Sequence, residues 1–389
     1  MNFNFLSPVS DSVLAHNELL SEQALGKKIK IHSAQNGVPD LVGVSLAIIG
    51  VKEHRNDINY MGEDLSFDTI RTSLYALFPG NWHSVIADLG DISPGATIED
   101  TYYALRTLIA VLVENKVIPI IIGGSQDLTY ANYRAYDTMS PMVNIVNVDS
   151  NFDLGDASVE MKNNSFLGKI ILEQPYNLFN YSVIGYQTYF NSQEQIDLMD
   201  KLYFEAYRLG EVTEAIKIVE PVMRDAHIVS MDLKSVRAAE VGVSQKFSPN
   251  GFNGKEICAI SRYAGISNKV SSFGIYEFKP TNELDATPML IAQMIWYFIE
   301  GFNCRVNDSN DLSDSNSHQK YNVLVENDEL IFYKSLKTGR WWIEIPFSPN
   351  VNTKLKKHTL LPCTHKDYQE ASHGKTPERW YKAYKKNCI

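Results

Sequence analysis

The chain has 389 residues, 44% of them hydrophobic and 21% charged, values that exclude global disorder and describe more sequence than one hydrophobic core usually holds. Lys and Arg total 36 against 46 Asp and Glu, and the formal net charge of −10 argues against nucleic acid or an anionic membrane as a broad partner. Four scattered cysteines (Cys258, Cys304, Cys363, Cys388) form neither a disulfide scaffold nor a zinc ribbon and fit reduced thiols.

Residues 1–41 read as an N-terminal extension. Their first twenty or so residues lack a basic region and an unbroken apolar run, so they make a poor signal peptide. With no apolar stretch of about eighteen residues there is no transmembrane segment, and the expectation is a cytoplasmic protein. From 42 to 306, short apolar runs at 44–51, 117–122, 143–148, 182–185, 228–231 and 272–276 alternate with amphipathic segments. Runs rich in Val and Ile are strands buried on both faces of a parallel sheet, and the segments between them are its crossover helices. Residues 97–115 form the clearest helix, opened by a Thr97/Asp100 capping box and placing Tyr102, Leu105, Leu108, Ile109, Leu112 and Val113 on one face. The polar, acidic stretch 307–318 (NDSNDLSDSNSH) reads as a mobile linker. In the C-terminal extension, 319–389, a hairpin over 329–347 turns at Gly339, and two short helices start at the Thr364/Asp367 capping box and at Thr376-Pro377. Trp341, Trp342 and Trp380, three of the five tryptophans, lie in this extension. They either pack against the main domain or offer an aromatic surface to a partner.

In a parallel α/β fold, functional groups gather in loops at the carboxyl ends of the strands. Three such loops stand out: GGSQD (Gly123 to Asp127), DSNFD (Asp149 to Asp153) and Asp232-Leu233-Lys234. In this order they resemble GGDHS, DAHxD and SxDxD, the motifs of the ureohydrolase family of arginases, agmatinases and formimidoylglutamases. DLGDI (88–92), IIGV (48–51), IGYQ (184–187) and IYEFKP (275–280) add to the resemblance, which covers roughly 42–300. It implies a three-layer α/β/α fold around a mainly parallel sheet of about eight strands, assembled as a homo-oligomer.

The resemblance also implies a site. The family's enzymes hold two Mn²⁺ ions through two histidines and four aspartates. The six matching positions here are Gln126, Asp149, Asn151, Asp153, Asp232 and Lys234, so both histidines and one aspartate are replaced. The family's proton-shuttling histidine falls loosely on Leu167, and Glu277 matches the glutamate that faces the substrate guanidinium. A bimetallic hydrolase needs two cations about 4 Å apart to generate hydroxide, and the Lys234 ammonium stands where the second belongs. The three substitutions agree with one another. They imply a family protein that has lost binuclear catalysis, needs no cofactor and binds or scaffolds, as a homo-oligomer or through its aromatic extension.

Two other readings stay open. One is a hydrolase of linear amidines using a single divalent cation (Mn, Mg or Ca) on Gln126, Asp149, Asp153 and Asp232, an all-oxygen set suited to hard ions. The other is a non-hydrolytic small-molecule sensor in which Glu277 and Asp127 hold a cationic ligand. Catalysis by Lys234 itself is disfavoured, because surrounding carboxylates raise its pKa. His54 reads as a solvated loop residue, and His83 and His227 as structural. Lys354, Lys356, Lys357, Lys385 and Lys386 read as solvated surface.

Overall fold

The computed structural model describes residues 3–388 except 60, 61, 63, 140, 141, 156–158, 242–247, 280–284, 309–316, 327 and 347–359. Lys354, Lys356, Lys357 and most of the expected linker therefore lie outside the described residues.

Eight strands form the body of the main sheet: β1 (Val44–Val51), β2 (Val85–Ile92), β3 (Ile118–Gly123), β4 (Val143–Val148), β5 (Leu178–Tyr186), β6 (Glu205–Arg208), β7 (Ile228–Asp232) and β8 (Ser272–Tyr276). Their order across the sheet is β2-β1-β3-β8-β7-β4-β5-β6, all parallel. Two short strands extend the sheet to ten beside β2, Lys30–Ile31 in parallel and Leu6–Ser7 antiparallel. Alternate residues of β1 serve opposite faces. Leu46 and Ile48 join a core with helices Asp68–Ala76, Gly254–Ile266 and Thr287–Asn303. Ala47 and Ile49 join a second core with Ile98–Glu114 and Phe166–Leu172. Period-2 side chains between two helix layers give the expected α/β/α sandwich. The Thr97/Asp100 capping box is formed.

Two strands were not legible as apolar runs. β2 reads VIADLGDI, and its Asp88 and Asp91 are neutralised by the wholly buried Arg71, at 2.9 and 2.8 Å. β6 is the short, polar edge strand EAYR.

The C-terminal extension is more than a hairpin. Strands β9 (His318–Val325), β10 (Asp328–Ser335), β11 (Trp341–Glu344) and β12 (Leu360–Cys363) make a four-stranded antiparallel sheet, followed by helices His365–Ser372 and Glu378–Cys388. Gly339 takes the expected left-handed turn, at φ +71°. The ends of the expected linker are ordered: Asp308 is buried and bonded to Ser335 and Thr338, and His318 opens β9. Trp341 and Trp380 are buried with Phe332 and Ile343 in a core belonging to the extension, and Trp342 is half-buried with Arg224 over its ring. The extension folds back on its own chain. Arg224 of the main domain donates to the Trp341 and Cys363 carbonyls, and Arg379 pairs with Glu205 of β6 at 2.8 Å.

Lys386 is not solvated: it bonds Asn180 and lies over the rings of Phe179 and Phe204, where burial pushes its pKa down to about 7. His83 is exposed, whereas His227 is structural, its Nδ1 accepting from the Asn144 amide at 3.0 Å. Cys258, Cys304 and Cys363 are free. No helix among the described residues is long and apolar enough to cross a membrane.

Candidate functional site

The sheet order brings the motifs together. β3, β8, β7 and β4 are consecutive neighbours, so the loops at 123–127, 277–279, 232–234 and 149–153 converge at one end of the sheet. The two glycines of GGSQD are there for close approach. A Cβ on Gly123 would sit 2.4 Å from the Tyr276 ring, and one on Gly124 would sit 2.1 Å from the Glu53 carbonyl. Asp153 and Glu277 hold left-handed backbone, at φ +53° and +67°. Such strain in non-glycine residues collects at functional sites.

Asp149, Asp153, Asp232 and Glu277 are all buried here with the Lys234 side chain among them. Lys234 Nζ lies 2.7 Å from Glu277 Oε2 and 3.9 Å from Asp232 Oδ2. The first carboxylate it neutralises is thus Glu277, not an aspartate of the ligand motifs. Burial works against the ammonium, but Glu277 and then Asp232 outweigh it and raise its pKa. Glu277 Oε1 accepts from the Gln126 amide at 2.9 Å and from Asn163 Nδ2 at 2.8 Å, so both its oxygens are engaged within the chain. Asn163 also donates to Asp57, which pairs with Lys279 at 2.7 Å. Burial favours the neutral form of Asp57, yet the Lys279 ammonium keeps its pKa low.

The aspartates fare otherwise. Burial, then the charge of Asp153, drives the Asp149 pKa well above the usual range. Burial raises Asp153 to about 7. Burial raises Asp232 as well, although Lys234 opposes it. Asn147, unremarked in the sequence, donates to both Asp149 Oδ2 and Asp153 Oδ2 at 3.4 Å. A polar residue two before Asp149 within the apolar run VNIVNV was the mark that could have revealed it. Gln126 Nε2 donates to Asn147 Oδ1 at 2.8 Å and Ser230 Oγ at 3.3 Å, while its Oε1 is buried without a hydrogen-bond partner.

Several expected positions play other parts. The Asn151 amide nitrogen of the backbone donates to Asp149, but its side chain turns away to Ser150 and the Phe190 carbonyl. Asp127 does not face the cleft opening. It is wholly buried, accepts from Tyr102 and Asn56, and has its pKa raised to about 6 by burial. Leu167 is buried in the apolar core and can move no proton. His54 lines a separate cavity of about 340 Å³ with Lys52, Glu53, Arg55, Asp64, Leu65 and Pro94.

A pair of Mn²⁺ ions does not fit these residues. An ammonium stands among the carboxylates, an amide donor approaches Asp149 and Asp153 together, and among the described residues no cluster of His, Cys, Asp and Glu is arranged to hold a metal ion. For one hard cation, Gln126 Oε1 is a buried oxygen without a hydrogen-bond partner.

The model of the arginase family matches residues 44–300. The formimidoylglutamase of Streptococcus gordonii is 24% identical over 282 residues, covering 66% of this chain and 84% of that protein. The one from Streptococcus pyogenes is 26% identical over 283 residues, covering 66% and 85%. Among solved structures, Bacillus subtilis formimidoylglutamase superposes with a TM-score of 0.62 at 18% identity, covering 73% of this chain and 93% of that one. Trypanosoma cruzi formiminoglutamase with Mn²⁺ gives 0.61 at 18% identity, covering 69% and 96%. The same strand-end loops thus carry a family match over well more than half the chain: this protein belongs to the arginase family.

Proposed function

We propose that this arginase-family protein has exchanged a binuclear metal centre for a fixed side-chain cation and acts by binding or scaffolding, with a second copy of itself or another protein. The observation that carries this reading is the Lys234–Glu277 ion pair, 2.7 Å long, inside the carboxylate cluster. An ammonium has three donors and no acceptor, so it neutralises carboxylates but cannot bind and ionise water as a metal does. It also repels a divalent ion placed within about 4 Å. Loading the purified protein with Mn²⁺, desalting and measuring metal should find none, and arginine, agmatine and formiminoglutamate should release no urea, ammonia or formamide. Two ions per chain, or turnover, overturns the reading.

One observation favours a second reading, a weak single-ion hydrolase of linear amidines. The buried, unpartnered Gln126 Oε1 is an oxygen that a hard cation such as Mg²⁺ or Ca²⁺ accepts. One stoichiometric ion with slow amidine hydrolysis is its signature. A non-hydrolytic sensor holding a cationic ligand on Glu277 and Asp127 has less support, since both Glu277 oxygens are engaged within the chain and Asp127 is wholly buried. A thermal-shift screen with the same three compounds tests it.

A further inference from the structure

We propose that the Lys234 side chain is a tethered occupant of a buried cation subsite, and that this subsite, once vacated, takes a small primary alkylammonium. The inference rests on the reading above and names the ligand chemistry of the same cleft.

The subsite has walls of a definite kind. Glu277 Oε2 and Asp232 Oδ2 face the ammonium at 2.7 and 3.9 Å, and Asp149 interacts with it electrostatically. Glu277 is itself held in place by the Gln126 amide and Asn163 Nδ2, and its backbone is strained at φ +67°. The acceptor for a cation is therefore preorganised by groups other than Lys234. The Lys234 side chain remains 26% exposed, so its stem traces a route between solvent and the carboxylates. Glu277 is buried to 0% at its side chain and needs a cation wherever that cation comes from.

Two consequences follow. In the native chain the cleft excludes external cations, metal or amidinium, because one is already bound covalently. In a Lys234→Ala chain the atoms removed are Cγ, Cδ, Cε and Nζ, which correspond to n-propylammonium. A ligand of that shape restores the charge and the three donors without the tether.

The experiment is thermal unfolding of the full-length wild type, K234A and K234M, each with n-propylammonium, tetramethylammonium or NaCl at about 20 mM. K234A should melt roughly 4–5 °C below wild type and recover by roughly 2 °C with propylammonium, for binding at about 1 mM. Tetramethylammonium, which has no N–H donor, and NaCl should restore nothing. K234M, whose apolar stem still fills the route, should not respond. If K234A is insoluble, refolding yield is read instead, and a gain confined to propylammonium supports the subsite. No response of K234A, an equal response to all three salts, or an equal response of K234M overturns it. Failure here leaves the metal measurement on the wild type standing, and two Mn²⁺ per wild-type chain would overturn the metal-loss reading without reference to the K234A result.

Discussion

Two regions of this molecule bury carboxylates, and they treat them in opposite ways. Where the C-terminal extension meets the main domain, Glu205 is surrounded by cations: Arg379 at 2.8 Å, with Lys386 close by. Burial favours its neutral form, but Arg379 and Lys386 prevail and its pKa is lowered. At the strand ends, Asp149, Asp153 and Asp232 share one nearby ammonium, already committed to Glu277, and burial pushes all three upward. Equal burial with unequal counter-charge decides the difference. The seam has the charge balance of a finished interface. The cleft has more acid than the Lys234 ammonium neutralises.

Substitutions that change the balance on either side probe the contrast. The largest effect belongs to Lys234→Ala, which strands the buried Glu277: about 3–4 kcal/mol of stability should be lost in urea unfolding, somewhat less than for a fully sealed pair because the lysine stem reaches solvent. Arg379→Met should cost about 2–3 kcal/mol by leaving Glu205 unpaired at the seam. It should also make the extension the first segment cut in limited proteolysis, since the seam and not the cleft holds it. If cleavage begins in the main domain, the seam is not what anchors the tail.

A smaller effect separates the two regions by pH. The Asp153 pKa is raised to about 7 in the folded chain, against roughly 3.9 unfolded. The folded state thus binds more protons than the unfolded one between these values, and the stability from this group is full below about pH 4 and lost as pH rises toward 7. Asp153→Asn should match wild type near pH 4 and exceed it by about 1–2 kcal/mol at pH 8, measured by denaturant melts at both pH values. A uniform loss at all pH values would show that the carboxylate is satisfied after all. The smallest effect is expected for Lys386→Met. Its folded pKa, about 7, lies below the unfolded value, so the seam holds it partly charged near neutral pH and neutral above. Near pH 10 the substitution should change stability by less than about 1 kcal/mol, and it should remove the wild type's gain in stability as pH rises from 7 toward 10.

The contrast also explains what the sequence revealed and what it hid. Strands β1, β3, β4, β7 and β8 are apolar runs because both faces of each are covered, so their pattern alone located them and the loops that follow. β2 and β6 do not read as apolar runs because they carry carboxylates neutralised by residues outside the strand, Asp88 by Arg71 and Glu205 by Arg379. That Gln126, Asp149, Asp153, Asp232, Lys234 and Glu277 gather at one end of the sheet was legible from motif order. Their pairings were not. That Lys234 chooses Glu277, that Asn147 and Asn163 supply the donors, and that Asn151 and Asp127 face elsewhere depend on which strands lie side by side, and strand order is not written locally. The extension's hairpin and two helices were legible, but β9 alternates polar and apolar residues too weakly to declare itself, and the core that Trp341 and Trp380 fill depends on the four-stranded sheet.

The most direct measurement is an anomalous-scattering map of crystals grown or soaked with excess Mn²⁺. No manganese peak should appear among Asp149, Asp153 and Asp232, with Lys234 Nζ still within ion-pair distance of Glu277. Two peaks about 4 Å apart, with the Lys234 side chain displaced toward solvent, would contradict it.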